Sequence, residues 1–244
     1  MITSERITLL VVPSHSSRTS AGLVVAIDGP SGSGKSTVAR RVAAALALRY
    51  LDTGAMYRAV TWWLLEQGID LRDTELAGRL APEIPLHMGL DPDEPTVRVG
   101  ETDVAAAIRE SRISTAVSLV ATNLAARADL VARQKAIAAD GDVVIEGRDI
   151  TTVVAPDAAV RVLLTASEET RLARRAQELY GNVDATALDA TRDQVARRDA
   201  DDSTVARFQE AAEGVDVVDS SRMTLDETVS AVLELVEKRT GITP

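Results

Sequence analysis

Residues 29–36 have the types and the spacing that are needed to bind phosphate. They read Gly-Pro-Ser-Gly-Ser-Gly-Lys-Ser and match the pattern G-x-x-x-x-G-K-[ST]. Glycines let backbone N–H groups turn toward phosphate oxygens, where a side chain would block them. Lys35 supplies a mobile cation for the β- and γ-phosphates, and Ser36 offers a hydroxyl to Mg²⁺. The predicted ATP contacts are Gly29, Pro30, Ser31, Gly32, Ser33, Gly34, Lys35, Ser36 and Thr37.

The segments on either side of this loop support the prediction. The run from Leu23 to Asp28 is apolar up to its last residue, which is typical of a buried parallel strand. Val38, Val42 and Leu46 recur every four residues, which predicts a helix from Lys35. The helix N-terminus adds unpaired N–H donors and a partial positive charge. A strand, a glycine loop and a helix in this order distinguish a phosphate-binding loop from an ordinary glycine-rich turn.

A second group of residues has the chemistry to hold another anion. Of the 27 lysines and arginines only three are lysines, which leaves 24 arginines, and a planar guanidinium suits bidentate contacts with phosphate. Arg58, Arg148 and Arg198 stand at predicted strand ends or helix starts. A phosphate acceptor needs no strong general base, because its oxygen is already ionised near neutral pH. Catalysis then depends on charge neutralisation and in-line positioning.

Composition excludes several other kinds of chemistry. The chain has no cysteine, so disulfides, thiolate metal sites and cysteine nucleophiles are excluded. His15 and His87 have no predicted carboxylate or cysteine partner, and both are expected to be surface residues. The net charge of −10 argues against binding to nucleic acid or to an anionic membrane. No apolar run approaches the ~20 residues of a membrane span.

Buried strands alternate with helices along the chain, which predicts an α/β fold with a mostly parallel sheet. One of these strands ends in the sequence Glu146-Gly147-Arg148-Asp149, and ligands of parallel sheets bind at the carboxyl ends of strands. The other strands predicted after the glycine loop are Tyr50–Leu51, Ala159–Leu164 and Val215–Val218.

Polar residues mark the predicted ends of several helices. The chain from Asp52 to Gly54 is predicted to form a turn that caps a helix, and Ser167 is predicted to cap another. Thr224 opens a capping box before the C-terminal helix. A further helix is predicted to run to Asp199, with Asp202 beyond its end.

The domain organisation is predicted as one domain with an insert. Residues 1–22 are serine-rich toward their end and are expected to form a flexible tail. The apolar stretch Ile7–Val12 is too short for a secretory signal, so a cytoplasmic protein is expected. Residues 82–109 contain two alternating apolar segments around a Pro/Asp turn, which predicts an inserted β-hairpin that covers the substrate.

Taken together, these motifs resemble those of bacterial cytidylate kinases, in the nucleoside monophosphate kinase group of P-loop kinases. The resemblance extends from Leu23 to the C-terminal helix. It rests on residues 27–36, on Leu51-Asp-Thr-Gly-Ala-Met-Tyr-Arg58, on residues 146–149 with Pro156-Asp157, and on Arg198-Asp199 with Asp202-Ser203. It implies a P-loop kinase fold with a five-stranded sheet in a single domain over residues 23–240, a substrate-binding insert that includes residues 82–109, and a short lid at about residues 171–192.

The resemblance also implies an activity, namely transfer of the γ-phosphoryl group of ATP to CMP or dCMP with Mg²⁺, by a protein that is commonly monomeric. The residues that it implies for catalysis are Lys35, Arg148, Arg171 and Arg175. Those that it implies for binding CMP are Ser118, Arg127 and Asp149 at the cytosine with Thr53 nearby, Arg198 and Asp202 at the ribose, and Arg58 and Arg148 at the phosphate. Asp219-Ser220 would lie beside adenine.

The implied base contacts agree with the chemistry of cytosine. Its N4 amino group can donate to Asp149, and its O2 and N3 atoms can accept from Arg127 and Ser118. Uracil presents a carbonyl in place of the amino group, and the Asp149 carboxylate would repel it.

One position departs from the family pattern. The family usually has another phosphate-binding arginine three residues after Asp202, where this chain has Val205, and we expect Arg207 to replace it. Two other functions stay open at this point. One is a P-loop kinase for another small molecule, of the shikimate type, and the other is a non-catalytic, nucleotide-dependent switch module.

Overall fold

The computed structural model describes residues 22–244, and in it the chain forms a five-stranded parallel sheet with helices on both faces. Residues 1–21 of the predicted tail, together with His15, lie outside the described residues. The strands are β1 Val24–Asp28, β2 Arg49–Asp52, β3 Leu86–Met88, β4 Val97–Val99, β5 Thr102–Asp103, β6 Val143–Gly147, β7 Val160–Thr165 and β8 Asp216–Asp219. The α-helices are α1 Lys35–Ala45, α2 Thr53–Glu66, α3 Thr74–Leu80, α4 Ser111–Ala121, α5 Leu124–Ala139, α6 Glu168–Tyr180, α7 Ala185–Ser203 and α8 Leu225–Thr240.

The large sheet has the strand order β2-β6-β1-β7-β8, and every pair in it is parallel. Asp28 pairs with Gly147, and Asp52 pairs with Glu146, so the carboxyl ends of neighbouring strands meet at one edge. Ligands of such sheets bind at this edge. The predicted α/β fold class is confirmed, and the strands after the glycine loop lie where the apolar runs predicted them.

Aliphatic side chains form the core on both faces of the sheet. Ala26 of β1 faces α2 and α5, whereas Val25 and Ile27 face α1 and α8, because successive residues of a strand point to opposite faces. Aromatic residues make up only 2% of the chain, so Val, Ile, Leu and Ala fill nearly all of both layers. No helix within residues 22–244 has the length and apolar character that crossing a membrane requires.

The insert forms a separate antiparallel sheet of three strands, in the order β3-β4-β5. Leu86 pairs with Val99 and Met88 with Val97, as the alternating pattern predicted. The short strand β5 was not predicted, because its two residues carry no apolar alternation. His87 lies on β3 and is exposed, in agreement with its predicted surface position.

Two helix boundaries differ from the sequence prediction. Thr53 and Gly54 belong to α2 rather than to a turn, because Asp52 itself is the N-cap and accepts a hydrogen bond from the Ala55 N–H. Helix α7 continues to Ser203, so Asp202 lies within it rather than beyond it. The last turn stays helical because Asp202 is held there by Arg148 and by Arg198, four residues before it. The predicted caps Ser167 and Thr224 are confirmed.

A buried carboxylate joins the end of β1 to the segment that follows β6. Asp28 is 1% exposed and accepts hydrogen bonds from the Ile150 N–H, the Thr151 N–H and the Thr151 hydroxyl, at 2.9, 2.8 and 2.7 Å. These donors begin a single π-helical turn, Ile150–Val154. Burial raises the pKa of Asp28 although the hydrogen bonds oppose it. The turn fixes the chain directly after Asp149, one of the predicted site residues.

Replacement of Asp28 by alanine should destabilise the protein strongly, because three buried donors would lose their acceptor. We expect the free energy of unfolding, measured by urea denaturation, to fall by about 3 kcal/mol. Asp226→Ala is the control, since this carboxylate is 81% exposed in its ion pair with Arg41. Its loss should change the unfolding free energy by less than about 1 kcal/mol. Equal effects of the two substitutions would contradict a structural role for Asp28.

Candidate active site

A cavity of about 610 Å³ lies at the carboxyl edge of the parallel sheet. One side of it is formed by the glycine loop and the start of α1, and the other by α2, the insert, α4 and the chain after β6. Helices α6 and α7 contribute arginines and acidic residues between the two sides. The volume lies within the usual range for small-molecule sites.

The glycine loop has the backbone that its sequence predicted. Gly32 and Gly34 have φ angles of +77° and +87°, in the left-handed region that favours glycine. At Gly29 a Cβ atom would lie 2.3 Å from the carbonyl oxygen of Leu164, so a side chain cannot fit there. Helix α1 begins directly after the loop, at Lys35. The unpaired N–H groups of this helix end therefore face the cavity, as a phosphate site requires.

Lys35 is half-buried beside other cations. Its Nζ atom donates to the carbonyl oxygen of Pro30 at 3.3 Å. Burial first, and then the positive charge of Arg148, lower the pKa of Lys35 to about 7. A bound polyphosphate would reverse this shift, because a nearby anion favours the charged ammonium.

Two carboxylates that the sequence analysis did not select lie next to Lys35. Glu146 is 2% exposed and accepts a hydrogen bond from the Ser36 hydroxyl at 2.7 Å. Burial first, and then the negative charge of Asp52, raise the pKa of Glu146 to about 7. Glu146 and Asp52 lie opposite each other in register, at the ends of β6 and β2. Each is an acidic residue at the carboxyl end of a parallel strand, and this position is the sequence signal that could have identified them.

A second carboxylate pocket lies farther along the cavity. Asp149 is buried and pairs with Arg127, which extends from α5. Burial is the main cause that raises the pKa of Asp149, and Arg127 opposes it. Thr53 lines the cavity nearby, with its hydroxyl bonded to the carbonyl oxygen of Glu146 at 2.8 Å. Ser118 is buried on α4 between lining residues but does not itself line the cavity.

The predicted phosphate and ribose arginines line the same cavity, and each has a carboxylate partner. Arg58 pairs with Asp52 at 2.9 Å. Arg198 lies 3.8 Å from Asp202 along α7, and burial is the main cause that lowers its pKa to about 10. Both arginines therefore line the cavity, one from α2 and one from α7, with part of their charge compensated.

Arg148 is held by four groups. Its Nη1 atom donates to the carbonyl oxygen of Gly29 at 2.6 Å, and its Nε atom donates to Asp202 at 3.2 Å. Asp199 lies 3.7 Å away, and the guanidinium carbon stands 4.8 Å from the ring centroid of Phe208. Phe208 is the single phenylalanine of the chain and is buried. The sequence analysis did not select it.

The three arginines of α6 do not act alike. Arg174 and Arg175 line the cavity, whereas Arg171 does not. Arg171 donates to the carbonyl oxygen of Ser31 at 2.9 Å and to Asp199 at 2.7 Å, behind the glycine loop. Arg174, which was not in the predicted set, donates to the carbonyl oxygens of Ser33 and Ser220. The lid roles of Arg171 and Arg175 stay predictions.

Asp199 of α7 joins the glycine loop to α6 and was also missed. It is 7% exposed and accepts a hydrogen bond from the Ser31 N–H at 3.1 Å. The same carboxylate binds Arg171 of α6, although Asp199 itself belongs to α7. Its partners are far away in sequence, so no local pattern pointed to it.

The structure argues against the expected replacement of the missing arginine. Val205 and Ala206 line the cavity after α7, but Arg207 is exposed and does not line it. Phe208 turns into the core beneath Arg148 instead, which directs the neighbouring Arg207 side chain outward. The hypothesis that Arg207 contacts an acceptor phosphate is therefore corrected.

Comparison with known proteins gives one consistent result. A family model described as "Cytidylate kinase" matches residues 25–238. A protein named cytidylate kinase from Cutibacterium acnes is 48% identical over 216 residues, which are 88% of this chain and 96% of the relative. Proteins of the same name from Streptomyces avermitilis and Mycobacterium avium are 42% and 43% identical over 91% of this chain, and over 96% and 99% of their own lengths. The chain belongs to the cytidylate kinase family.

Proposed function

We propose that the chain transfers the γ-phosphoryl group of ATP to CMP or dCMP and forms ADP with CDP or dCDP. The observation that carries the proposal is the position of the buried Arg127–Asp149 pair in the same cavity as the glycine loop. A triphosphate site and a pocket with a carboxylate and a guanidinium thus share one space. The chain's family and this geometry both support the assignment.

On the donor side, the glycine loop and Lys35 bind the phosphates of ATP. The N–H groups at the start of α1 point to the β- and γ-phosphates, and Lys35 neutralises charge that develops during transfer. Arg174 and Ser220 line the end of the cavity near α8, where they would lie close to the adenine. Arg175 faces the cavity from α6 and would neutralise the transferring group.

Magnesium is part of the proposal, and the donor side has oxygen ligands of the type that this ion prefers. The Ser36 hydroxyl and the Glu146 carboxylate lie 2.7 Å apart, with Asp52 beside them. Ser36, Glu146 and Asp52 would hold Mg²⁺ there, and the ion would supply positive charge that offsets the charge of the phosphates. Burial and the negative charge of Asp52 raise the pKa of Glu146. A cation bound beside this carboxylate would favour its charged form and lower the pKa again.

On the acceptor side, the carboxylate of Asp149 would accept a hydrogen bond from the N4 amino group of cytosine, and Arg127 would donate to the base. Arg198 and Asp202 would bind the ribose, and Arg58 and Arg148 the phosphate. Arg148 also contacts the carbonyl oxygen of Gly29, so one guanidinium adjoins both nucleotide sites. This position suits a group that aligns an acceptor oxygen with the γ-phosphate.

The organisation of the chain forms part of the same proposal. Residues 23–240 form one kinase domain, residues 82–109 contribute to a substrate-binding insert, and residues 171–192 act as a lid. The protein works as a monomer in the cytoplasm.

An ADP-release assay with a panel of acceptors tests the proposed activity. CMP and dCMP should give the highest kcat/KM, and UMP, AMP and shikimate should give much lower values, because the pocket pairs a carboxylate with a guanidinium. Preference for shikimate would assign a different kinase. Tight ATP binding with no acceptor-dependent ADP release would indicate a switch module.

Replacement of Asp149 by alanine should separate base recognition from ATP binding. We expect kcat/KM for CMP to fall by about 100-fold or more, because the N4 amino group would lose its acceptor. UMP use should fall much less, since its carbonyl no longer faces a carboxylate, and the KM for ATP should stay nearly unchanged. Equal losses with CMP and UMP would count against recognition of the base by Asp149.

Replacement of Glu146 by glutamine should stabilise the protein without substrates, most clearly at alkaline pH. The raised pKa means that the ionised carboxylate destabilises the folded state above about pH 7. This cost disappears as the pH falls below 4.5, the pKa of Glu146 in the unfolded chain. The unfolding free energy of Glu146→Gln should exceed that of the wild type by roughly 1–2 kcal/mol at pH 8, and the difference should shrink toward pH 5. Lys35 loses a counter-charge in this variant, which limits the gain.

Urea denaturation at the two pH values measures this effect. Glu227→Gln is the control, because hydrogen bonds from the Thr224 N–H and hydroxyl lower the pKa of Glu227, and this variant should lose stability instead. The Mg²⁺-dependent rise in Tm with ATP should be smaller in Glu146→Gln than in the wild type. A pH-independent difference in stability, or an unchanged Mg²⁺ effect, would contradict the role of Glu146.

A further inference from the structure

Among the described residues, the stretch directly after α7 lines the cavity without a cation. Val205 and Ala206 line the cavity there, and Arg207 points away from it. A nucleoside monophosphate carries up to two negative charges on its phosphate, and this charge has to be balanced within a partly closed cavity.

Five arginines line the acceptor side of the cavity, and four of them already have a carboxylate within 4.0 Å. These pairs are Arg58 with Asp52, Arg127 with Asp149, Arg148 with Asp199 and Asp202, and Arg198 with Asp202. A paired guanidinium contributes hydrogen bonds, but much of its charge is compensated. The four paired arginines therefore leave little net positive charge for a phosphate dianion.

Arg109 is the fifth arginine, and it differs from the others. Its side chain lies within 4.0 Å of no carboxylate among residues 22–244, and it lines the cavity. It ends the short 3-10 turn Ala107–Arg109, which packs against α2, the helix that carries Arg58. The neighbouring Ile108 is buried in the core and holds this turn in place. The backbone of Arg109 is thus held in place, and its guanidinium has no carboxylate partner among residues 22–244.

The electrostatic effect of Arg109 on a neighbouring carboxylate agrees with its place in the cavity lining. The positive charge of Arg109 helps to lower the pKa of Asp52. Larger effects come from burial, which raises this pKa, and from Arg58, which lowers it. Asp52 is the partner of Arg58, so Arg109 lies on the Arg58 side of the cavity. Val205, in the turn after α7, lines the same cavity.

We infer that Arg109 binds the phosphate of the acceptor nucleotide and supplies the positive charge that Val205 cannot supply. This inference rests on the proposed function. A guanidinium binds a phosphate through two parallel hydrogen bonds, and such charge-assisted pairs are strong. Since Arg109 belongs to the segment that joins the insert to α4, the phosphate contact would also draw the insert over the acceptor.

Comparison of CMP with cytidine tests the inference, because the two ligands differ only in the phosphate. In Arg109→Ala, we expect the Kd for CMP, measured by calorimetry on the whole chain, to rise by about 10- to 100-fold. The Kd for cytidine and that for ATP should stay within about twofold of the wild type. Arg98→Ala is the matched control, since Arg98 is an exposed insert arginine that pairs with Glu101 and does not line the cavity.

A second variant tests whether an arginine at position 205 can bind the same phosphate as Arg109. Val205→Arg should recover part of the CMP affinity when it is added to Arg109→Ala. Equal losses for CMP and cytidine, or unchanged CMP affinity, would overturn the inference, and so would a double variant with no recovery. Wild-type activity separates the two proposals. A wild type without CMP-dependent ADP release contradicts the proposed function. An active wild type, together with an Arg109→Ala variant whose CMP affinity is unchanged, contradicts the inference alone.

Discussion

Repulsion between crowded cations is the constraint on which the site depends. Lys35 and several arginines line one cavity, and like charges in a buried space raise the free energy of the folded state. Carboxylates from distant segments offset this cost, with Asp52 from β2, Asp149 after β6 and Asp202 from α7. Because the pairs of Asp149 and Asp202 join separate elements, the site forms only when the sheet, α5 and α7 have assembled.

Arg148 shows how this pairing fixes geometry as well as charge. A carbonyl oxygen of the glycine loop, two carboxylates of α7 and the ring of Phe208 surround its guanidinium. Such a side chain needs little reorganisation when phosphoryl transfer begins, which is the condition for effective electrostatic stabilisation. Part of the lowered pKa of Lys35 has the same origin, because the positive charge of Arg148 is its next cause after burial.

Local sequence patterns predicted the fold and the donor loop, and long-range pairing decided the rest. The glycine loop, the parallel strands and the Arg127–Asp149 pair follow from motifs that lie within short segments or within the family resemblance. Asp199 was missed because its partner Ser31 lies 168 positions away in sequence. The outward direction of Arg207 was missed for a similar reason, since it depends on burial of the adjacent Phe208 beneath Arg148.

Helix α7 has a consequence for the thermodynamics of binding. Asp199 holds the glycine loop through the Ser31 N–H, and its neighbour Arg198 lines the same cavity together with Asp202, three residues on. A displacement of this helix on binding at either site would change the contacts at the other. Linkage then requires that each nucleotide alter the affinity of its partner by the same factor, so α7 makes the affinities for the two nucleotides interdependent.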